Sequence, residues 1–276
     1  MRSATSGAVK AAAAVLALLM CGNAWGQSAK AFVQKAVDSE LAADKSDHSK
    51  WLFLERDVQP GNAVVQWVAQ SVAGSVTRVM ERNGKKIPPQ TQRQQVMACV
   101  GDKAAQMKQR QSSRHDDRQA TALLKMLPEG FIWTLEKKTE AETVLRFVPN
   151  PRFSPPTREA KVFSAMAGEM VVNNGQMRIQ SLRGKMLRDV TFGWWGILGR
   201  LDAGGTFDVE RRETGKGLWQ ITRTHVHISG HALLFKTISE QEDDVKSDFT
   251  ELPENTTLEQ AAQEAMRQPE KSAASK

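Results

Sequence analysis

The chain has no tyrosine, only two cysteines and 6% aromatic residues, all of them drawn from ten Phe and seven Trp. With Cys21 and Cys99 as the sole thiols, a disulfide-stapled scaffold is excluded and the fold must rest on an apolar core. No Gly-, Ser- or Pro-rich stretch divides the chain, and Lys and Arg are interspersed with Asp and Glu instead of gathered into a basic block. Nucleic-acid binding is therefore not expected. Catalytic signatures are missing as well. There is no G-x-S-x-G elbow, no H-E-x-x-H helix, and Gly84-Lys85-Lys86 lacks the glycine spacing of a P-loop. No catalytic residue, metal ligand set or cofactor is assigned.

What is present is a globular balance: 276 residues, 40% hydrophobic and 25% charged. That length carries one large domain or two small ones. The first 26 residues read as a secretory signal peptide. Arg2 and Lys10 precede the apolar run AAAAVLALLM, and Ala24-Trp25-Gly26 offers small residues for cleavage between Gly26 and Gln27. The run is too short to span a bilayer, and no longer one follows. The rival reading makes Cys21 a lipidated N-terminus, although Met20 stands where a small residue is wanted. Loss of Arg2 and Lys10 takes the formal charge from +7 to +5. The expected location is periplasmic or secreted.

Residues 29–44 place Phe32, Val33, Ala36, Val37 and Leu41 on one helical face. Strand-like runs follow from Trp51, at 63–72 and at 75–82, with turns at Pro60-Gly61 and Asn83-Gly84. A helical insertion at about 89–128 then carries Val96, Cys99, Val100, Ala104 and Met107. The spacing predicts a charged break from Lys108 to Arg118, with His115-Asp116-Asp117 in a loop, and a second helix that Pro128 ends. Cys99 on that stripe reads as a structural thiol.

Strands are expected at 131–137, 142–148, 161–172, 176–190, 205–212, 217–228 and 231–240, the second pair meeting across Asn174-Gly175. Thr256 and Glu259 fit a capping box opening a last helix, and the tail from Gln268 reads as polar and loose. Residues 27–267 thus read as a single α+β domain. Several strands are apolar on both faces, Trp219 and Ile221 on one side and Leu218, Val226 and Ile228 on the other. The expected architecture is a strongly curved antiparallel sheet, a half-barrel with helices in or over its concave face.

The element order resembles the LolA/LolB-like lipoprotein-carrier fold. Over residues 140–252 the chain is more closely similar to secreted proteins of environmental bacteria that share PNPRFSPPTREAKVFSAMAGEMVVN, DVTFGWWGILGRLDAGGTFDVERRE and GLWQITRTHVHISGHALLFKTI. The resemblance implies a half-barrel that carries lipid or lipoprotein. No lipoprotein-binding residue of the carriers maps onto a position here, and the helical insertion departs from their simplest pattern.

Three constellations bear on function. Phe192-Gly193-Trp194-Trp195-Gly196 reads either as an apolar lip for an acyl chain or as a Gly-kinked bend with its Trp pair in the core. Met166, Met170, Met177 and Met186 in adjacent strands suit an adaptable lipid-lining face or gap-filling in the core. His225 and His227 share a strand face with Arg223, and His231 follows across a short turn; they begin a metal site or are surface histidines. The expected ligand is a lipid or the acyl chain of a lipoprotein, lined by Met166, Met170, Trp194, Trp195, Phe207, Trp219 and Phe235. A scaffold with a filled core that binds an envelope protein is the alternative, and a metal-dependent enzyme at His225 and His227 is the third.

Overall fold

The computed structural model describes residues 28–192, 199–232 and 236–271. The expected signal peptide with its cleavage site, Cys21, Trp194, Trp195 and Phe235 lie outside the described residues.

Helix α1 (28–46) buries Ala29, Val33, Ala36 and Val37, the stripe that its periodicity predicts. Strands β1 (Lys50–Gln59), β2 (Asn62–Ser71) and β3 (Gly74–Arg82) form a meander, and β4 (Lys85–Lys86) adds two residues. Gly61, Asn83 and Gly84 take φ of 77°, 49° and 74° at its turns, the left-handed conformation that Gly and Asn tolerate best.

The insertion differs from the expected pattern. Helix α2 (Pro89–Gly101) ends at Asp102, and helix α3 runs unbroken from Lys103 to Gly130. The break lies at Asp102, whose side chain accepts from the Ala105 N–H at 2.9 Å. The charged stretch 108–118, His115 included, is exposed helix. Its Lys, Gln and Arg residues are good helix formers, so their polarity marks a solvated face and not a loop. Pro128 stands inside the last turn, where its missing N–H costs one helical hydrogen bond, and the Leu127 carbonyl at the helix end accepts from the Trp133 indole at 2.9 Å.

Strands β5 (Phe131–Lys138) and β6 (Glu142–Pro149) follow, then helix α4 (Arg158–Phe163) on residues expected to open a strand. Thr157 caps α4 and Glu159 occupies its first turn, a local start signal stronger than the β pattern. Strands β7 (Met166–Asn173) and β8 (Arg178–Met186) meet across residues 174–177, a longer turn than Asn174-Gly175 alone, with Met177 at φ 53°. Short β9 (Val190–Phe192) and β10 (Gly199–Leu201) pair with each other, and β10 also pairs with the end of β12. Strands β11 (Thr206–Gly215), β12 (Leu218–Ala232) and β13 (Lys236–Leu252) complete the meander, so His231 lies within β12 and not beyond a turn.

Helix α5 (Leu258–Arg267) is capped one residue later than predicted, by Thr257 with Gln260 completing the box. Residues 268–271 are held, where a loose tail was expected. The Arg78 guanidinium donates to the carbonyls of Ala265, Met266 and Gln268 and pairs with Glu270, and the Trp67 indole donates to the Pro269 carbonyl.

All thirteen strands join one antiparallel sheet in the order β4-β3-β2-β1-β13-β12-β11-β8-β7-β6-β5, with β9 and β10 branching from β12. The fold is α+β, and the sheet is open, ending at β4 and β5. Its two faces bury different clusters. On one face, Leu52, Leu54, Val65, Trp67, Val76 and Met80 pack against α2 and α5. On the other, called here the inner face, Trp133, Leu145, Phe147, Met166 and Met170 pack against α1 and the C-terminal part of α3. Apolar residues on both sides of the strands are thus explained by helices on both sides of the sheet.

Candidate functional site

Cross-strand register lays out the inner face in rows, because directly paired residues share a face. One row reads Leu145, Met170, Leu182, Val209, Thr224, Asp244, Asp57 from β6 to β1. The next reads Phe147, Gly168, Gly184, Phe207, Val226, Glu242. Beside it, Ile228 stands opposite Glu240. The character of this face changes along the rows. At β6 and β7 it is sealed, with Leu145, Phe147 and Met170 at 0% exposure. At β11 and β12 it stays apolar, yet Phe207, Val209, Val226 and Ile228 are only half-buried. At β13 and β1 it becomes acidic.

The two glycines shape the middle of the second row. A Cβ on Gly168 would stand 1.9 Å from the Arg183 carbonyl oxygen, and one on Gly184 would stand 2.5 Å from the Phe207 ring. Gly168 thus lets β7 and β8 approach closely, and Gly184 lets Phe207 lie across β8. From there Phe207 meets Phe163 of α4, ring centroids 5.7 Å apart.

The acidic end holds Glu55, Asp57 and Asp244 around Lys246. Lys246 Nζ lies 2.9 Å from Asp244 Oδ2 and 3.6 Å from Glu55 Oε1, with the Phe53 ring beneath it. Burial pushes the Glu55 carboxyl above its ordinary value, against a hydrogen bond from Gln66 and the charge of Lys246. Burial, followed by the neighbouring charge of Asp244, also raises Asp57. Burial pulls the Lys246 ammonium down, but its bonds and charge attraction to Asp244 and Glu55 outweigh that and leave it raised. Three carboxylates surround a single ammonium, and the Oδ1 atoms of both Asp57 and Asp244 are buried without a hydrogen-bond partner.

The predicted lining residues separate. Met166 and Met170 belong to the sealed core, at 3% and 0% exposure, and Phe207 packs at the margin of that cluster. Trp219 is buried near the start of β12, where its indole donates to Gln176 at 2.7 Å, and it lies outside that cluster. Trp194, Trp195 and Phe235 are outside the described residues, but the ends of their segments are neighbours: Phe192 pairs with Gly199, Gly199 with Ala232, and Ala232 with Lys236. Val209 and the Glu55–Asp57–Asp244–Lys246 group were missed by sequence reasoning. The available signal was the apolar alternation of β11 and β12, but matching acidic residues to it needs the register of β13 and β1.

His225 and His227 lie on the opposite, outer face. His225 Nδ1 is 2.5 Å from Asp243 Oδ1, and Asp208 stands directly across on β11. His227 meets the Gln241 amide at 3.3 Å. His225 belongs to a row of mostly alternating charge, Arg146, Glu169, Arg183, Asp208, His225 and Asp243. Among the described residues no group of three His, Cys, Asp or Glu side chains could hold a metal ion. Nor is any described helix long and apolar enough to cross a membrane. Cys99 is half-buried, and burial, then Asp102, raises its thiol above the ordinary range, away from ready reactivity.

No family model, no curated protein and no solved structure matches the chain.

Proposed function

We propose that the protein binds without catalysis an alkyl or acyl chain, of a lipid or lipoprotein, on the inner face of its sheet in the periplasm. The observation that carries this reading is the change along the rows: the face sealed at Met170 is still apolar but half-open at Phe207, Val209, Val226 and Ile228. Each methylene laid on that stretch would gain about 0.8 kcal/mol on leaving water. Such a face suits a carrier best if the sheet curves around it, and α3 supports the curvature. Near residue 110 the helix is tied to the β2–β3 turn, Arg110 donating to the Ala73 carbonyl at 2.9 Å and the Gln109 amide oxygen accepting from Ser75. It then leads directly into β5. The remaining twenty residues of helix cover about 30 Å. A flat sheet would put the nine strand steps from β3 to β5 about 43 Å apart. A half-barrel strung by α3 meets both lengths, with α1 inside it.

The test is native mass spectrometry of the chain from a periplasmic extract, with organic extraction of bound material. Co-purifying lipid that is lost in both Val226→Asp and Ile228→Asp, and kept in the outer-face variant His227→Ala, is the expected result. A ligand-free mass that persists after incubation with phospholipid and acylated peptide would sink the reading. It would favour the scaffold alternative, for which the sealing of Met166 and Met170 by α1 speaks.

A further inference from the structure

The two ends of the sheet are unequal. At one end β4 is two residues long and both are lysine, short and charged as exposed edges commonly are. At the other end β5 has eight residues, and its first five, Phe131 to Leu135, carry no charge. Exposed apolar side chains gather here: Ile132 and Leu135 on β5, and Val148 directly opposite Ile132 on β6.

The backbone of β5 points the same way. The Asn150 N–H donates to the Gly130 carbonyl at 3.1 Å, and Phe131 stands opposite Pro149, which has no N–H. Gly130 and Asn150 therefore form a hydrogen-bonded pair, and alternation makes Ile132 and Thr134 the next residues bonded to β6. Phe131, Trp133 and Leu135 turn their N–H and C=O groups to the free edge.

We propose that β5 pairs antiparallel with β5 of a second copy of this chain, about a two-fold axis at Trp133. Antiparallel pairing requires facing residues to share a sheet face. Centring on Trp133 meets that condition and sets Trp133 opposite its own copy, and Phe131 opposite the copy's Leu135. The outward N–H and C=O groups of these three residues are then satisfied in both chains. On the outer face Ile132 comes diagonal to its counterpart, extending the apolar patch with Val148. Shifting the axis to Thr134 would set Ile132 against Glu136 and Phe131 against Lys137.

The flanking charges choose the second copy and the antiparallel sense. Glu129 precedes the apolar core of the strand; Glu136, paired with Arg146 of its own chain, and then Lys137 and Lys138 follow it. Glu129 and Lys137 are well exposed, their side chains 65% and 63% accessible, with present partners Lys30 and Glu142. Antiparallel self-pairing brings the acidic flank of each chain to the basic flank of the other. Parallel pairing would set like charges together. The interface is isologous, so it closes at two copies and leaves no growing edge there.

The experiment is sedimentation equilibrium of the full chain from about 1 to about 200 μM, a window that resolves micromolar dissociation constants. Dimer is expected for the parent chain. Ile132→Lys should weaken it at least about tenfold, because two ammonium groups are brought together on the outer face. Lys137→Glu should weaken it as well, and adding Glu129→Lys to that variant should restore it. All of these positions are exposed, and an unchanged circular dichroism spectrum separates lost pairing from lost fold. A parent chain that stays monomeric throughout the range overturns the proposal. So does a dimer indifferent to Ile132→Lys, or a charge swap that fails to rescue.

Discussion

Glu40 shows how a single side chain fixes an element. It lies on α1 at 5% exposure, accepts the Ile179 N–H at 2.6 Å, and pairs with Arg211 at 2.7 Å and Arg178 at 3.0 Å. The two guanidinium groups and the backbone N–H offset the cost of burying this side chain, and in return it ties α1 to β8 and β11 across the inner face. Asp57 is the opposite case. Burial and the adjacent Asp244 raise its carboxyl above the ordinary value, so its charged form is less favourable in the folded chain than in the unfolded one. Below the ordinary carboxylate value both states hold the proton and Asp57 costs nothing. As pH rises through that value and the raised folded one, the unfolded state releases its proton first and stability falls. Asp57→Asn removes this penalty and supplies a donor for the orphaned oxygen of Asp244. We expect the variant to be more stable than the parent in urea at pH 7, with the advantage shrinking as pH is lowered through the carboxylate range. An advantage independent of pH would refute the assignment.

At the scale of elements, the strap that follows α5 has a residue signal that no periodicity reports. Arg78 points to the face that α2 and α5 cover, at 5% exposure, and its donors are taken up by Gln92, by carbonyls at the end of α5 and by Glu270. Ending the chain after Arg267 would leave a buried guanidinium short of partners. Chemical denaturation should then show a loss of about 3–5 kcal/mol. Arg78→Met in the shortened chain should recover much of it, since an apolar side chain of similar length needs no partner. The reverse order, with Arg78→Met costing more in the shortened chain than in the full one, would mean that the strap acts through other contacts. The same scale shows what was legible. The α1 stripe, the Asn83-Gly84 turn and the β5–β6 hairpin follow from local pattern, since period and turn chemistry are local quantities. The long α3 did not, because a helix whose outer turns are all solvated has no apolar stripe to read. Nor did Arg78, because apart from Gln92 its partners are more than 185 residues away along the chain.

For the whole molecule, the candidate site depends on long-range register more than on any motif. The residues that face one another across β11, β12, β13 and β1 come from four separate stretches, and only the antiparallel order puts Val209, Val226 and the Asp57–Asp244 pair on one face. Met166 and Met170, candidate lining by sequence, lie on that face but within the core cluster that α1 joins. A one-residue slip would turn either of them outward, so their facing follows from long-range register and not from the local sequence. The proposed concavity requires the sheet to bow around α3, and such a bow would have a measurable chord. With Cys99 replaced by Ser, spin labels at Val72→Cys, beside the β2–β3 turn, and Thr134→Cys, on β5, report the separation of two nearly opposite ends of the sheet. Both positions are exposed in the single chain, so neither label disturbs a packed side chain of the monomer, in which the distance is read. A curved sheet held by α3 predicts a distance near the length of the intervening helix, about 30 Å. A flat one predicts more than about 40 Å from strand spacing alone. The longer distance would remove the concavity and with it the geometric support for a carrier, while leaving the β5 edge and its dimer untouched.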